Sequence, residues 1–180
     1  MPNYCYYQMK VVGSKKSIQN VIDTLKADYD YMAGKPEHKH LFRVFEANES
    51  EIQRVGNKYC VYITGECAWS VYSCMLSGVH TYYNDIKFRH LDIFMGTTLA
   101  ELSKDCKIEV FSEEEGMEFS EHYIFENGEC LTDDTCDVQQ VGYNEKGEIS
   151  ADIDWDKYEG DYVCLNPHRE GMTEDYLWEI

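Results

Sequence analysis

The distribution of charge along the chain limits which part of it can form a folded core. Residues 113–180 contain 21 Asp and Glu against three bases, Lys146, Lys157 and Arg169, and carry a net charge of −18. Residues 1–112 contain 13 acids and 13 bases and are neutral. A segment with so few cations repels itself when it compacts. We therefore predict a neutral folding unit that carries a strongly acidic extension.

Length and composition are typical of a small globular protein. The 180 residues fit one domain, or one domain with an appendage, and 43% of them are hydrophobic. The start, Met1-Pro2-Asn3-Tyr4-Cys5, lacks the basic residues and apolar run of a secretion signal, and no apolar stretch is long enough to span a membrane. The charge of −18 disfavours direct binding to nucleic acid and to anionic membranes. We expect a soluble, cytoplasmic protein.

The eight cysteines show no pattern that predicts a metal or cofactor site. None of them form a C-x-x-C pair, and the glycine-rich loops that bind phosphate are also missing from the sequence. Without a secretion signal, a disulfide framework is not indicated. We expect free thiols that behave as small hydrophobic side chains, no metal and no cofactor.

The first part of the chain alternates predicted strands and helices. Tyr4–Val12 reads as a strand, and Ser14 can cap a helix whose apolar stripe runs from Ile18 to Met32 before Gly34 and Pro36 end it. The following segments are predicted as strands at 40–46 and 58–64, a helix at 67–76 and a strand near 86–94. Gly65 is predicted to end the second of these strands.

The later part of the chain is predicted to be richer in strands. Thr98 and Glu101 form a capping box that opens a helix reaching Cys106. Strands are predicted at 108–112 and 119–125, with a tight hairpin turn at Asn127-Gly128. A second hairpin is predicted between 138–143 and 148–155.

This order predicts an α+β fold. It is the ferredoxin-like β-α-β-β-α-β plan, an antiparallel sheet with helices on one face, plus a C-terminal acidic β-hairpin extension. The predicted core covers residues 1–133, with an insertion at about 66–95. Residues 134–180 form the predicted acidic, β-rich extension, packed on the same sheet.

Two motifs support a family resemblance. The chain opens Met1-Pro2-Asn3-Tyr4-Cys5 and continues through Val11 and Gly13, and a later stretch has Glu114-Glu115-Gly116-Met117, Phe119, Tyr123, Phe125 and Asn127-Gly128-Glu129. With Trp69-Ser70, these residues resemble the Api92/YubB-like family, with its M-P-N-W-C opening and E-E-P-G-M-G-F…Y-V-F-E-N-G-E stretch. The resemblance implies a ferredoxin-like domain in a protein of phages, plasmids and integrated elements. Tyr4 and Glu115 depart from the pattern, and the family offers no template for residues 137–180.

The run Asp152-Ile153-Asp154-Trp155-Asp156 is the most concentrated acidic pattern. A calcium-binding EF-hand is rejected because Lys157 and Val163 stand where that loop needs glycine and glutamate. On a strand, the three aspartates would point to one side at a spacing of about 6.6 Å. We therefore predict a one-sided anionic row, with Ile153 and Trp155 packed on the other side.

An anionic row of this kind can imitate a phosphate backbone. A basic groove that binds nucleic acid would attract it by the same electrostatic steering. The function predicted from the sequence is therefore non-enzymatic: inhibition of a host protein with a basic nucleic-acid-binding surface, as in anti-CRISPR or anti-restriction proteins. The predicted partner-binding residues are Asp152, Asp154, Asp156, Glu159, Asp161, Glu113, Glu114, Glu115, Asp133 and Asp134.

Two alternatives stay open from the sequence. In the first alternative, the acidic surface is only the solvated face of a regulatory or scaffold module. In the other, Glu121 and His122 serve a metal-dependent enzyme. Neighbouring residues on a strand point to opposite sides, so we expect a surface glutamate and a half-buried histidine that do not share a ligand. No catalytic residue is predicted.

Overall fold

The computed structural model describes residues 3–27, 40–77, 79–83 and 91–173, and antiparallel strands predominate among them. The strands are β1 (Tyr4–Gly13), β2 (Val44–Glu49), β3 (Gln53–Val55), β4 (Lys58–Ala68), β5 (Val79–Tyr83), β6 (Leu91–Met95), β7 (Cys106–Glu114), β8 (Phe119–Glu126), β9 (Glu129–Asp137), β10 (Gln139–Tyr143), β11 (Ile149–Ser150) and β12 (Val163–Leu165). The helices are α1 (Lys15–Leu25) and α2 (Leu99–Leu102), with a π-helical turn at Tyr72–Leu76 and a 3-10 turn at Ser103–Asp105.

One large sheet organises the molecule. Its strands follow the order β2-β4-β1-β7-β8-β9, and β3 pairs with β4 to complete seven strands. A separate three-stranded sheet has the order β11-β10-β12, and β5 pairs with β6. All of these pairings are antiparallel.

The predicted ferredoxin-like fold class is wrong. The described chain is mostly antiparallel strand, with a seven-stranded and a three-stranded sheet in place of a compact β-α-β-β-α-β unit. The second helix expected over 98–106 is reduced to the four residues of α2, and its last part becomes the 3-10 turn that leads into β7. The predicted helix cap at Thr98 is confirmed, since its side chain accepts a hydrogen bond from the Glu101 amide at 3.1 Å. A cap specifies where a helix begins and does not specify how far it runs.

The core lies on the face of the large sheet that we call the inner face. Met9 and Val11 of β1, Val110 of β7 and Tyr123 of β8 are at most 1% exposed and pack there with α1. The helix begins where predicted, because the Ser14 side chain accepts a hydrogen bond from the Ser17 amide at 3.1 Å. Apolar burial along one helical face stabilises the pairing of helix and sheet. The part of the stripe predicted beyond residue 27 lies outside the described residues.

Gly65 does not end a strand, contrary to the prediction. β4 continues through it to Ala68, and a Cβ at this position would lie 1.9 Å from the Glu46 carbonyl oxygen of β2. The Tyr7 hydroxyl donates to the same carbonyl at 2.8 Å. Glycine here permits close backbone approach between β2 and β4.

The predicted hairpin at Asn127-Gly128 is confirmed and joins β8 to β9. Both residues have positive φ, 56° and 84°. One extra residue, Leu131, bulges from β9, because Phe125 pairs with Cys130 while Ile124 pairs with Thr132. The bulge shifts the register of everything that follows it in β9. The predicted boundary between residues 133 and 134 lies within this strand.

The C-terminal part of the described chain forms little regular structure. The Asn144–Gly147 turn links β10 to β11 as predicted, but β11 ends at Ser150. Strand β12 then pairs with β10. Among the helices of the described residues, none combines the length and apolar character needed to cross a membrane.

Candidate functional site

The predicted anionic row on a strand is wrong. Residues 151–162 have no strand structure, so the aspartates within them do not alternate on a pleated sheet. Asp152, Asp154, Asp156, Glu159 and Asp161 are nevertheless all exposed. These five residues therefore supply surface charge without a regular phosphate-like spacing.

Glu113, Glu114 and Glu115 have three different environments. Glu114 is 3% exposed and accepts hydrogen bonds from the amides of Gly116 and Met117, so it closes the turn between β7 and β8. Glu115 is exposed in that turn. Glu113 is 6% exposed, and its side chain lies on the face of the large sheet opposite to the inner face. We call this second face the outer face.

Two rows of side chains cross this outer face. In the first row, Tyr6 of β1 lies between Glu66 of β4 and Glu113 of β7, because each is its antiparallel partner. In the second row, Gln8 of β1 pairs in the same way with Phe111 of β7. Directly paired residues of neighbouring strands point to the same side. The pairing thus places two carboxylates, a phenol and an amide next to one another.

Residues 166–173, which we call the covering segment, lie against part of the outer face. Asn166 Nδ2 donates to Glu113 Oε2 at 2.9 Å, and Arg169 Nη1 donates to the same oxygen at 3.2 Å. Gly171 is in contact with the Phe111 ring, so closely that a Cβ at this position would lie 2.2 Å from Cζ. The covering segment is held at its polar end by Glu113 and at its apolar end by Phe111.

A cavity of about 590 Å³ opens where the covering segment meets β1, β4 and β7. Its wall includes four glutamates, one arginine and the exposed tyrosines Tyr4 and Tyr6. We call it the acidic cavity. The residues that define it are Tyr4, Tyr6, Gln8, Glu66, Glu113, Glu114, Glu115 and Arg169. Its charge and its aromatic faces both favour a cation.

Two side-chain oxygens in this wall have no hydrogen-bond partner in the part of the chain that the structure describes. Among the described residues, Gln8 Oε1 and Glu113 Oε1 are buried without a hydrogen-bond partner. Gln8 donates its amide to the Tyr6 hydroxyl at 3.1 Å, which leaves its carbonyl oxygen as the spare acceptor. Glu113 uses only Oε2 for Asn166 and Arg169. A buried acceptor without a donor costs free energy, so the cavity is suited to a ligand that brings N–H groups.

Glu121 and His122 do not form one site. Glu121 is 2% exposed on the inner face and accepts hydrogen bonds from the Val71 and Tyr72 amides at 2.8 and 3.1 Å. His122 faces outward, where its Nε2 lies 3.0 Å from Glu109 Oε1 and its ring stacks on Phe111 at 4.0 Å. Their predicted opposite orientation is confirmed, and the predicted surface position of Glu121 is wrong. Glu121 stabilises the start of the π-helical turn.

Asp133 and Asp134 also point to opposite sides of β9. Asp133 pairs with Tyr123 of the inner face, and Asp134 pairs with His122 of the outer face. Both aspartates are exposed, but Asp134 Oδ2 lies 3.2 Å from His168 Nε2 of the covering segment. Only Asp134 is therefore joined to the outer face.

Sequence reasoning missed most of the acidic cavity. The alternation Tyr4, Tyr6, Gln8 within β1 was a usable signal, because it marks the side of the strand that is not core. Glu66 and Arg169 lie 60 and 163 positions from Tyr6, and nothing in their local sequence announces the contact. The pairing of β4 with β1 brings Glu66 to the cavity, and the covering segment brings Arg169.

Comparisons of the chain with protein-family models, with curated proteins and with solved structures found no match in any of the three. The resemblance to the Api92/YubB-like family stays a prediction from the two motifs.

Proposed function

We propose that this protein binds a basic surface of another protein, one of whose arginine side chains enters the acidic cavity. The observation that carries the proposal is the pair of buried oxygens, Gln8 Oε1 and Glu113 Oε1, which no described residue contacts by a hydrogen bond, in a wall with four glutamates. A guanidinium group brings five N–H donors and a permanent charge, and so meets both needs of the cavity.

The geometry of guanidinium binding favours this ligand over a lysine ammonium. Arginine can donate to a carboxylate through two parallel N–H groups and stack its plane on an aromatic ring at the same time. Glu113 supplies the carboxylate, and Tyr6, its cross-strand neighbour, supplies the ring. Arg169 already donates to Oε2 of Glu113, so this carboxylate accepts one guanidinium while its Oε1 is left for another.

The exposed acids of residues 151–162 extend the same preference beyond the cavity. Their charges are not arranged as a regular row, so they contribute attraction at long range and no shape. Charges of this kind mainly raise the rate of encounter with a basic partner. Together with the net charge of −18, they favour partners whose surface is strongly basic.

Proteins that handle nucleic acid are the class of partner with such a surface, because they neutralise phosphates with Arg and Lys. We propose a host protein of this class as the partner and the cytoplasm as the compartment. Binding there would block access of DNA or RNA, which is the action of anti-CRISPR and anti-restriction proteins. The two motifs that resemble mobile-element proteins support this choice.

A pull-down from bacterial lysate tests the proposal when elution is done with duplex DNA. The immobilised protein is expected to retain basic nucleic-acid-binding proteins at low salt, and DNA should release them in competition. The double variant Glu66→Gln/Glu113→Gln should retain much less. Glu145→Gln/Glu148→Gln, with the same change in charge in an exposed turn, is the matched control.

Two results would contradict the proposal. One is retention that DNA does not compete away, which would place the partner's contact outside its nucleic-acid groove. The other is equal retention by both double variants, which would mean that the acidic surface is only solvated, as in a scaffold module.

A further inference from the structure

A second cluster of reactive groups lies on the outer face, across β8 and β9. Ser120 Oγ is 3.1 Å from Cys136 Sγ and 3.0 Å from His168 Nδ1. The Cys136 sulfur is 3.5 Å from the same ring nitrogen and 3.7 Å from Nε2, and His168 Nε2 is 3.2 Å from Asp134 Oδ2. A thiol and a carboxylate thus both lie against one imidazole ring, and a hydroxyl contacts the sulfur and the Nδ1 nitrogen.

The fold places each member of this cluster by a separate device. Ser120 and Cys136 are direct partners in the β8–β9 pairing, and the bulge at Leu131 sets that register. The covering segment delivers His168, whose ring contacts those of Phe111 and His122 with centroids at 6.1 and 5.8 Å. A ring held on several sides keeps its orientation towards the sulfur.

The chemistry of this arrangement is that of an activated thiol. Imidazole can take the proton of a neighbouring thiol, and the thiolate is the nucleophilic form of cysteine. A carboxylate on the other ring nitrogen stabilises the imidazolium that results. The Ser120 hydroxyl can donate to the sulfur anion. His168 is 9% exposed and Cys136 has intermediate exposure, so the base is shielded more fully than the cysteine.

We propose that Cys136 is a reactive thiol that exchanges with small cationic or neutral disulfides. In this step the Cys136 proton passes to His168 and the sulfur attacks one sulfur of the disulfide. A new S–S bond forms, the old one breaks, and the leaving thiolate takes the proton from His168. The products are a mixed disulfide on Cys136 and one free thiol, so no other oxidant is needed.

The surrounding charge determines which disulfides react. Asp133, Asp134 and Asp137 of β9 are all exposed near Cys136, and an anionic reagent is repelled by them. A cationic disulfide is attracted. The proposed site therefore differs in selectivity from an ordinary surface thiol.

The same strand contains an internal control. Cys130 is exposed, its thiol donates to the Thr132 carbonyl at 3.1 Å, and burial together with the charge of Asp133 raises its pKa. Burial also raises the pKa of Cys164, with the charge of Glu115. Neither environment favours the thiolate, so Cys130 serves as an accessible reference thiol against which the expected reaction of Cys136 is compared.

Peptide mapping by mass spectrometry measures the reaction at each cysteine separately. The full-length protein at neutral pH is treated with cystamine, a dication, with hydroxyethyl disulfide, which is neutral, and with dithiobis(nitrobenzoate), which is anionic. We expect Cys136 to react with cystamine about tenfold faster than Cys130. The order of reagents at Cys136, each taken relative to its rate with the model thiol N-acetylcysteine amide, should be cationic, neutral, anionic.

Two variants make the result decisive. His168→Gln should reduce the Cys136 rate to that of Cys130, and Asp134→Asn, which changes an exposed carboxylate, should reduce it severalfold. Glu170→Gln in the covering segment is the matched control and should change nothing. The proposal is overturned if Cys136 reacts no faster than Cys130. It is also overturned if His168→Gln raises the rate, since the histidine would then only shield the sulfur.

Discussion

Glu121 and Val71, 50 positions apart, are joined by a buried hydrogen bond in which the Val71 amide donates to the Glu121 carboxylate at 2.8 Å. The same carboxylate also accepts from Ser112 Oγ at 2.6 Å and from the Tyr123 hydroxyl at 3.1 Å. Glu121 thus ties β7, β8 and the π-helical turn together. Its role is structural, which separates it from the glutamates of the acidic cavity.

Replacing Glu121 should therefore destabilise the protein. Glu121→Gln removes a charge that several buried donors address, and we expect a loss of about 1.5–3 kcal/mol in the free energy of unfolding. Urea denaturation followed by circular dichroism measures it. Glu115→Gln, an exposed neighbour in the sequence, should change stability by less than about 0.5 kcal/mol. Equal stability of the two variants would contradict the role assigned to Glu121.

Glu113 and Arg169 should affect ligand binding in opposite directions. Glu113→Gln removes the charge that receives the guanidinium, and we expect about tenfold weaker binding of a short arginine-rich peptide. Arg169→Gln removes the competing internal guanidinium, so binding should tighten severalfold. Isothermal titration calorimetry measures both, with Glu145→Gln as the control for net charge. A change in the same direction in both variants would rule out competition between Arg169 and the peptide.

The exposed acids near β11 should affect binding rate more than stability. The triple variant Asp152→Asn/Asp154→Asn/Asp156→Asn should slow association with the arginine-rich peptide, most clearly at low salt, because screening weakens long-range attraction. All three side chains are exposed, so the melting temperature should stay within a few degrees of wild type. Surface plasmon resonance at two salt concentrations gives the rates. An unchanged association rate would limit recognition to the acidic cavity.

We expect the buried thiol of Cys106 to make the protein less stable at alkaline pH. Burial, with the charge of Asp105, raises the pKa of its thiol to about 11. The ordinary pKa of a cysteine thiol is 9.0, so between that pH and about 11 the unfolded state loses its proton first. The free energy of unfolding then falls with rising pH by roughly 1 kcal/mol per unit, and the contribution is fully present only below this window.

Urea denaturation at several pH values between 8 and 11 tests this slope. Cys106→Ala should show a shallower decline than wild type over the same window, although it is less stable at every pH because a buried side chain is truncated. Parallel curves for the two proteins would mean that other groups, such as the buried phenols Tyr7 and Tyr123, account for the alkaline effect.

The close contact between Gly171 and the Phe111 ring should fix the position of the covering segment. In Gly171→Ala the new methyl group would overlap the ring of Phe111, which is 3% exposed and stacked on His122, so the segment must move outward. We expect a loss of about 1–3 kcal/mol in stability. His168 should move with the segment, and the expected advantage of Cys136 over Cys130 in disulfide exchange should disappear. Glu170→Ala at the exposed neighbouring position is the control.

Local signals in the sequence identified local structure well. Ser14 and Thr98 cap helices as expected, and Asn127-Gly128 turns the β8–β9 hairpin. Each of these features depends on residues within one turn of chain. The interpretation of Gly65 failed because its reason is the carbonyl of Glu46, which only strand pairing brings close.

The overall fold and the site depended on contacts that no local pattern encodes. Grouping the predicted strands and helices into a ferredoxin-like plan gave too much weight to short apolar runs, which do not by themselves distinguish a helix from a strand. The aspartates near 152 were expected on a strand because they alternate with Ile153 and Trp155, yet no partner strand pairs with them among the described residues. Alternation predicts a strand only where another strand is available to pair.

The bulge at Leu131 has a consequence for how this surface could change during evolution. If β9 kept Leu131 but paired without the bulge, Ile124 would pair with Leu131 and every later side chain of β9 would exchange faces. Asp134 and Cys136 would then point into the core, and Asp133 and Thr135 would take their places beneath the covering segment. Deletion of Leu131 itself would keep Ile124 opposite Thr132 and Ser120 opposite Cys136, so the Cys136–His168 cluster tolerates loss of the extra residue but not a one-residue slip that absorbs it.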